Sequence, residues 1–266
     1  MSLTPLYDGR NVTPAYQLRY GWTGWPTPGR RFPQELPDIL PELAGAWESD
    51  GLRLLEHRCS AGQAQLTFST KPEAAPVFVA ARIKGRLQYA LRQTGRAVPF
   101  SRNLALRSLG DVGRETIEQY VRSQVASSPW AGTEFAGRMA QFSVEDPAVD
   151  LSRPTRTERG VYWYNLHVVL VNEQRYQTCD EGWLAKIRDQ TLPIAEKKGH
   201  QVKCLSVMPD HVHVALRGNV EHSPEQIVLA FQNNLAYALG QVRAWQATYF
   251  VGTFGEYDMR AVRRRD

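Results

Sequence analysis

Cysteine is scarce in this sequence: Cys59, Cys179 and Cys204 are three in 266 residues, they form no CxxC pair, and they make no even disulfide framework. We read them as reduced thiols and expect a cytoplasmic chain. Long apolar runs are missing too. No stretch approaches the roughly 20 apolar residues of a membrane span, and Met1-Ser2-Leu3-Thr4-Pro5 has neither the basic start nor the apolar centre of an export signal. No membrane partner is therefore expected. Excess charge of one sign is slight, with 32 Lys and Arg against 27 Asp and Glu and a formal net charge of +5. Such a balance is compatible with a polyanionic partner but equally with a solvated basic face. The chain is long enough for one large domain or two of ordinary size, each with its own core.

What the sequence does contain is internal repetition. Tyr16 to Trp22 alternates as an aromatic-rich strand and runs into a Pro- and Gly-rich turn region. Ile39, Leu40, Leu43 and Trp47 predict a helix over 36–49, ended near Gly51; two strands follow over 52–57 and 65–69, then a helix over 76–92. After Gly113 a further helix begins at Arg114. The second half repeats this order. A spacing of 148 residues separates Tyr16 from Tyr164, Gly51 from Gly199 and Leu87 from Leu235, and a spacing of 145 separates Leu109-Gly110 from Phe254-Gly255. Constant spacing through several elements predicts duplication of one unit. The reading is a first domain over 1–125, a linker rich in Ser, Pro, Gly and charge over 126–160, and a second domain over 161–266.

The second unit carries Met208-Pro209-Asp210-His211-Val212-His213-Val214. On a strand His211 and His213 share a face while Val212 and Val214 pack the other. Two such imidazoles can grip a divalent ion, with Asp210 adding negative charge; a pair of stacked or hydrogen-bonded histidines satisfies the same motif. At the 148-residue spacing the first unit has Gln63-Ala64-Gln65. Amides are poorer ligands than imidazoles for a catalytic transition metal, so any ion belongs to the second unit.

These residues resemble the single-tyrosine HUH transposases of small insertion sequences and their repeat-associated relatives. The resemblance covers residues 16–124 and 164–266, most strongly the second span. It implies an α+β fold: two tandem ferredoxin-like domains with antiparallel sheets backed by helices, forming an intramolecular pseudo-dimer. It also implies a bacterial, nucleoid-associated enzyme that cuts single-stranded DNA beside a hairpin, with a tyrosine nucleophile, a 5′-phosphotyrosine intermediate and Mg²⁺ or Mn²⁺.

In Glu118-Gln119-Tyr120-Val121-Arg122-Ser123-Gln124 the helical spacing puts Tyr120 and Gln124 on one face beside Ile117, Val121 and Val125. This run resembles the family's nucleophile helix. By that resemblance Tyr120 is the nucleophile, and Gln124 joins His211 and His213 as the metal ligands. The 145-residue spacing puts Arg265, not a tyrosine, at the corresponding place in the second unit. The losses are complementary, and the expectation is one composite site with Tyr120 and Gln124 from one half and His211 and His213 from the other.

A phenol titrates near pH ~10, so the tyrosine needs a cation nearby to act at neutral pH. Candidate phosphate contacts are Arg82, Lys84, Arg86 and Arg92, with Arg96, Arg102 and Arg107, and the terminal Arg260, Arg263, Arg264 and Arg265. Trp22, Trp25, Trp245 and Tyr249 could stack on bases, though core packing is the commoner fate of such residues. Two other readings stand beside this one. A non-catalytic hairpin or single-strand binder would keep Tyr120 away from the histidines. A metal-dependent hydrolase would need ligands beyond His211 and His213, for which only His200, His222 and Glu221 offer themselves.

Overall fold

The computed structural model describes residues 4–33, 36, 39–127, 133–173 and 180–255. The first half runs β1 (Thr13–Gln17), β2 (Arg19–Pro26), α1 (Leu40–Ser49), β3 (Leu52–Ser60), β4 (Gln63–Thr70), α2 (Pro76–Gln93), β5 (Phe100–Leu109) and α3 (Arg114–Ser127). Next come α4 (Thr133–Ala140), β6 (Ser143–Glu145) and β7 (Thr155–Thr157). The second half runs β8 (Gly160–Trp163), β9 (Asn165–Val171), α5 (Glu181–Lys197), β10 (Gln201–Val207), β11 (His211–Arg217), α6 (Pro224–Leu239) and β12 (Thr248–Thr253).

Local chemistry explains the helix bounds. Gly51 (φ 79°) and Gly199 (φ 71°) follow α1 and α5 in the left-handed conformation that a side chain resists. Pro76 and Pro224 open α2 and α6 at the position where a missing N–H costs nothing, and Ser223 and Gln226 close a capping box on α6. Along α2, Val79, Ala80, Ile83, Leu87 and Leu91 make the buried stripe, and Trp47 of α1 meets Phe68 of β4 edge-on at 4.9 Å.

The fold is α+β, with two mainly antiparallel sheets backed by helices. One sheet has the order β3-β4-β2-β5-β8-β7 and the other β1-β12-β9-β11-β10-β6. Within each lies the same four-strand core, second-third-first-fourth in chain order, which is the ferredoxin-like arrangement. Registers match as well. Gln65 pairs with Thr23 and Leu66 with Trp22, as His213 pairs with Val169 and Val214 with Val168.

The two sheets exchange strands. β1 pairs in parallel with β12 of the second half, and β8 pairs in parallel with β5 of the first. The run read as one strand from Tyr16 is therefore two: the chain leaves one sheet at Gln17, passes through buried Leu18 and enters the other at Arg19. The same crossing occurs at buried Tyr164, between β8 and β9, so Leu18 and not Tyr16 corresponds to Tyr164 in place. The 126–160 span also adds α4, β6 and β7 to the architecture.

The seam is reciprocal. Ser108 Oγ donates to the Phe254 carbonyl at 2.9 Å and accepts from the Asn165 N–H at 3.1 Å; Thr253 Oγ1 donates to the Leu109 carbonyl at 2.6 Å and accepts from the Arg19 N–H at 2.8 Å. Beyond each strand end stands a glycine without room for a side chain. A Cβ on Gly110 would lie 2.7 Å from the Thr253 carbonyl oxygen and 2.8 Å from the Phe254 Cα, and one on Gly255 would lie 2.6 Å from the Ser108 carbonyl oxygen. Gly110→Ala is expected to cost about 2 kcal/mol by forcing the strand ends apart, read as a lower midpoint in chemical unfolding.

Candidate active site

β11 delivers the histidine pair. Its register against β9 turns His211, His213 and Ala215 to one face and sinks Val212, Val214 and Leu216 into the main core on the other. α3 lies across the first face. Val121, fully buried, clusters with Leu151, Cys204, Ala215 and Phe254, and Ile117 and Val149 pack at the margin. Arg122 adds an ion pair to Glu145 at 2.6 Å; exposed on both sides, it contributes less than about 1 kcal/mol, so the apolar cluster holds the helix. A helix that continues the first half is thus docked on the sheet of the second.

Docking brings Tyr120 to the histidines. Its ring stands edge-on to His213, with centroids 5.4 Å apart and planes at 89°, and edge-on to His167 at 5.8 Å. Tyr120 is 47% exposed, which leaves it open to a ligand from solvent.

Each histidine of the pair is anchored through Nδ1. Asp210 Oδ1 lies 2.6 Å from His211 Nδ1, so the carboxylate accepts that proton and the lone pair falls at Nε2. His213 Nδ1 lies 3.0 Å from His167 Nε2, with the two rings stacked at 5.2 Å. The loop bearing Asp210 is itself pinned: Met208 N–H donates to the His211 carbonyl at 2.8 Å, Asn172 N–H to the Asp210 carbonyl at 2.9 Å, and Asn172 Nδ2 to the Pro209 carbonyl at 2.8 Å. Burial, with His167 and His211 alongside, pushes the His213 imidazole down to about 2, and burial pushes His167 down to about 4. Both rings are neutral at neutral pH, the form in which an imidazole ligates metal.

Among the described residues no three His, Cys, Asp or Glu side chains form a metal cage. A cation held by His211 and His213 needs a donor of another type. Gln124, one turn after Tyr120 and half-buried, has such an oxygen; its Nε2 donates to the Tyr120 carbonyl at 3.0 Å. Two imidazoles with anchored Nδ1 atoms and an amide oxygen are a donor set that fits a divalent ion with open positions, and the two nitrogens suit Mn²⁺ better than Mg²⁺.

The first half lacks these histidines at the corresponding positions. Gln63 and Gln65 stand on β4 where His211 and His213 stand on β11, and Gly21 stands on β2 where His167 stands on β9. His167 was not among the residues singled out from the sequence. Its signal is a lone histidine in the otherwise apolar run Leu166 to Val171, on the His213 face of the sheet. The additional metal candidates fare differently: His200 Nδ1 accepts from the Asn219 N–H at 2.9 Å and its ring meets His222 at 5.3 Å, which makes a separate pair.

Among the proposed phosphate contacts, Arg82 and Arg92 lie over the exposed rings of Phe78 and Tyr89 on the outer face of α2, at 5.1 and 5.5 Å. Lys84 and Arg86 are engaged within the fold: Lys84 Nζ donates to the Ser101 carbonyl at 2.7 Å, and Arg86 pairs with Asp50 at 2.5 Å. Arg107 stacks on Trp163 at 4.2 Å. Arg263 and Arg264, with Arg260 and Arg265, lie outside the described residues. Trp22, Trp245 and Tyr249 are core residues, so of the four aromatics offered for base stacking only Trp25 is partly exposed.

Residues 160–264 match the family model described as "Transposase IS200 like". One solved structure that resembles the chain is a protein from Deinococcus radiodurans provisionally called a transposase, at 20% identity and a TM-score of 0.35 over 41% of this chain and 91% of that one. No curated protein matches the chain. No described helix is long and apolar enough to cross a membrane.

Proposed function

We propose, from the premise that residues 160–264 belong to the IS200-like transposases, that the chain is a single-strand DNA endonuclease and strand transferase folded as a fused pseudo-dimer with one composite active site. The approach of Tyr120, from the first half, to His213, from the second, carries this reading. A tyrosine that merely covered a sheet edge would have no reason to meet the His211–His213 pair.

In the reaction Tyr120 Oη attacks a backbone phosphorus. The bond from phosphorus to the 3′ oxygen breaks, a 5′-phosphotyrosine forms, the phenol loses its proton and the departing 3′ hydroxyl gains one. Attack by another 3′ hydroxyl reverses these changes and rejoins DNA, because the number of phosphate ester bonds is conserved. His211, His213 and Gln124 would hold Mg²⁺ or Mn²⁺, which when bound offsets negative charge on the non-bridging oxygens. Asp210 keeps His211 in the tautomer that leaves Nε2 free. Arg82 and Arg92, with Phe78 and Tyr89 beside them, give the outer face of α2 the charge and ring surface that a DNA hairpin and its unpaired flank would use.

The test is incubation with Mn²⁺ or Mg²⁺ and labelled single-stranded DNA from the flanks of the gene, followed by a denaturing gel. A covalent protein–DNA band lost in His211→Ala supports the reading. Tight hairpin binding without any band would instead make the chain a non-catalytic binder.

A further inference from the structure

We propose that His167 is a positioning residue for His213: its Nε2 accepts the proton of His213 Nδ1 and so fixes the His213 lone pair at Nε2, on the side where the ion would bind. This rests on the function proposed above. The 3.0 Å contact between the two nitrogens admits either direction of donation, and the directions have opposite consequences. If His167 donated, His213 would carry its proton at Nε2 and could not ligate through that atom.

Three observations set the direction. First, His211, the other histidine of the pair, is already held with its proton on Nδ1 by Asp210 at 2.6 Å, and a ligating histidine ordinarily donates its other ring N–H to an acceptor. Second, among the described residues no carboxylate does this for His213; the group placed at its Nδ1 is His167, stacked at 10° to it and itself buried. Third, the first half has exchanged all three together, with Gln63 and Gln65 for the pair and Gly21 for His167. A histidine kept only to fill the sheet face would have no reason to disappear with the pair. His167 also meets Phe250 edge-on at 5.9 Å and Tyr120 at 5.8 Å, so the ring that orients His213 borders the nucleophile as well.

The test uses the full chain with His167→Leu, which fills the space without an acceptor, and His167→Gln, whose amide oxygen can accept. Mn²⁺ affinity by calorimetry is expected to fall roughly 10- to 100-fold in His167→Leu and to recover to within a few-fold of wild type in His167→Gln. In ¹⁵N-histidine spectra without metal, His213 is expected as the Nδ1–H tautomer in wild type and His167→Gln, and as a mixture in His167→Leu. Equal Mn²⁺ affinity in wild type and His167→Leu overturns the proposal, as does an Nε2–H tautomer for His213 in wild type. If the wild type takes up no Mn²⁺, the metal reading of the site fails and His167 is judged on the tautomer alone. Retention of Nδ1–H in His167→Leu then overturns it.

Discussion

Tyr120→Phe is expected to lower covalent adduct formation by roughly 10³-fold or more, because it deletes the attacking oxygen. The side chain is 47% exposed, and the packing of α3 runs through Val121, so the same change should leave stability within about 0.5 kcal/mol of wild type. That separation matters. A chain that loses the adduct and keeps its unfolding midpoint has lost chemistry, not structure. If the adduct persists in Tyr120→Phe, the nucleophile is elsewhere; Tyr257 lies outside the described residues, and Tyr249 is a buried core residue.

The second large effect is on acid stability. His167 and His200 are each pushed down to about 4 by burial, and His213 to about 2, against an ordinary histidine near 6.5. The unfolded chain therefore binds protons on these rings below pH ~6.5 while the folded chain does not. Their contribution is fully present above pH ~6.5 and is lost as pH falls towards the folded values, at about 1.4 kcal/mol per pH unit for each ring. With two or three rings titrating together, unfolding free energy should drop by several kcal/mol between pH 6.5 and pH 4. Denaturant titrations across that range check it, and His200→Gln, which removes a ring away from the Tyr120 site, should flatten the slope by about one proton.

Much of this arrangement is legible in the sequence, for identifiable reasons. The 148-residue spacing holds from Gly51 to Gly199 and from Pro76 to Pro224 because both glycines end helices in the left-handed conformation and both prolines begin them. The shared face of His211 and His213 follows from strand alternation, and the stripe of Ile117, Val121 and Val125 follows from helical spacing. Other features leave no local trace. The crossing from β1 to β2 costs one residue, Leu18, within an unbroken alternating run, so nothing in the run marks the change of sheet. β6 is a three-residue strand whose pairing is supplied by β10, far away in the chain, and β7 is a three-residue strand that pairs with the adjacent β8. The internal partners of Lys84 and Arg86, Ser101 and Asp50, are not legible until the fold places them alongside. His167 becomes a candidate only when β9 is laid against β11, since its partner is 46 residues away.

The central claim is that one chain holds one site, assembled from Tyr120 of its first half and His211 and His213 of its second. The most direct measurement mixes Tyr120→Phe with His211→Ala, each inactive alone, at concentrations where any dimer would re-equilibrate, and assays adduct formation on single-stranded DNA. Because each variant spoils the proposed composite site in its own chain, the mixture is expected to stay as inactive as either component. Recovery of adduct would show that tyrosine and histidines are contributed by different molecules, and would contradict the composite site within one chain.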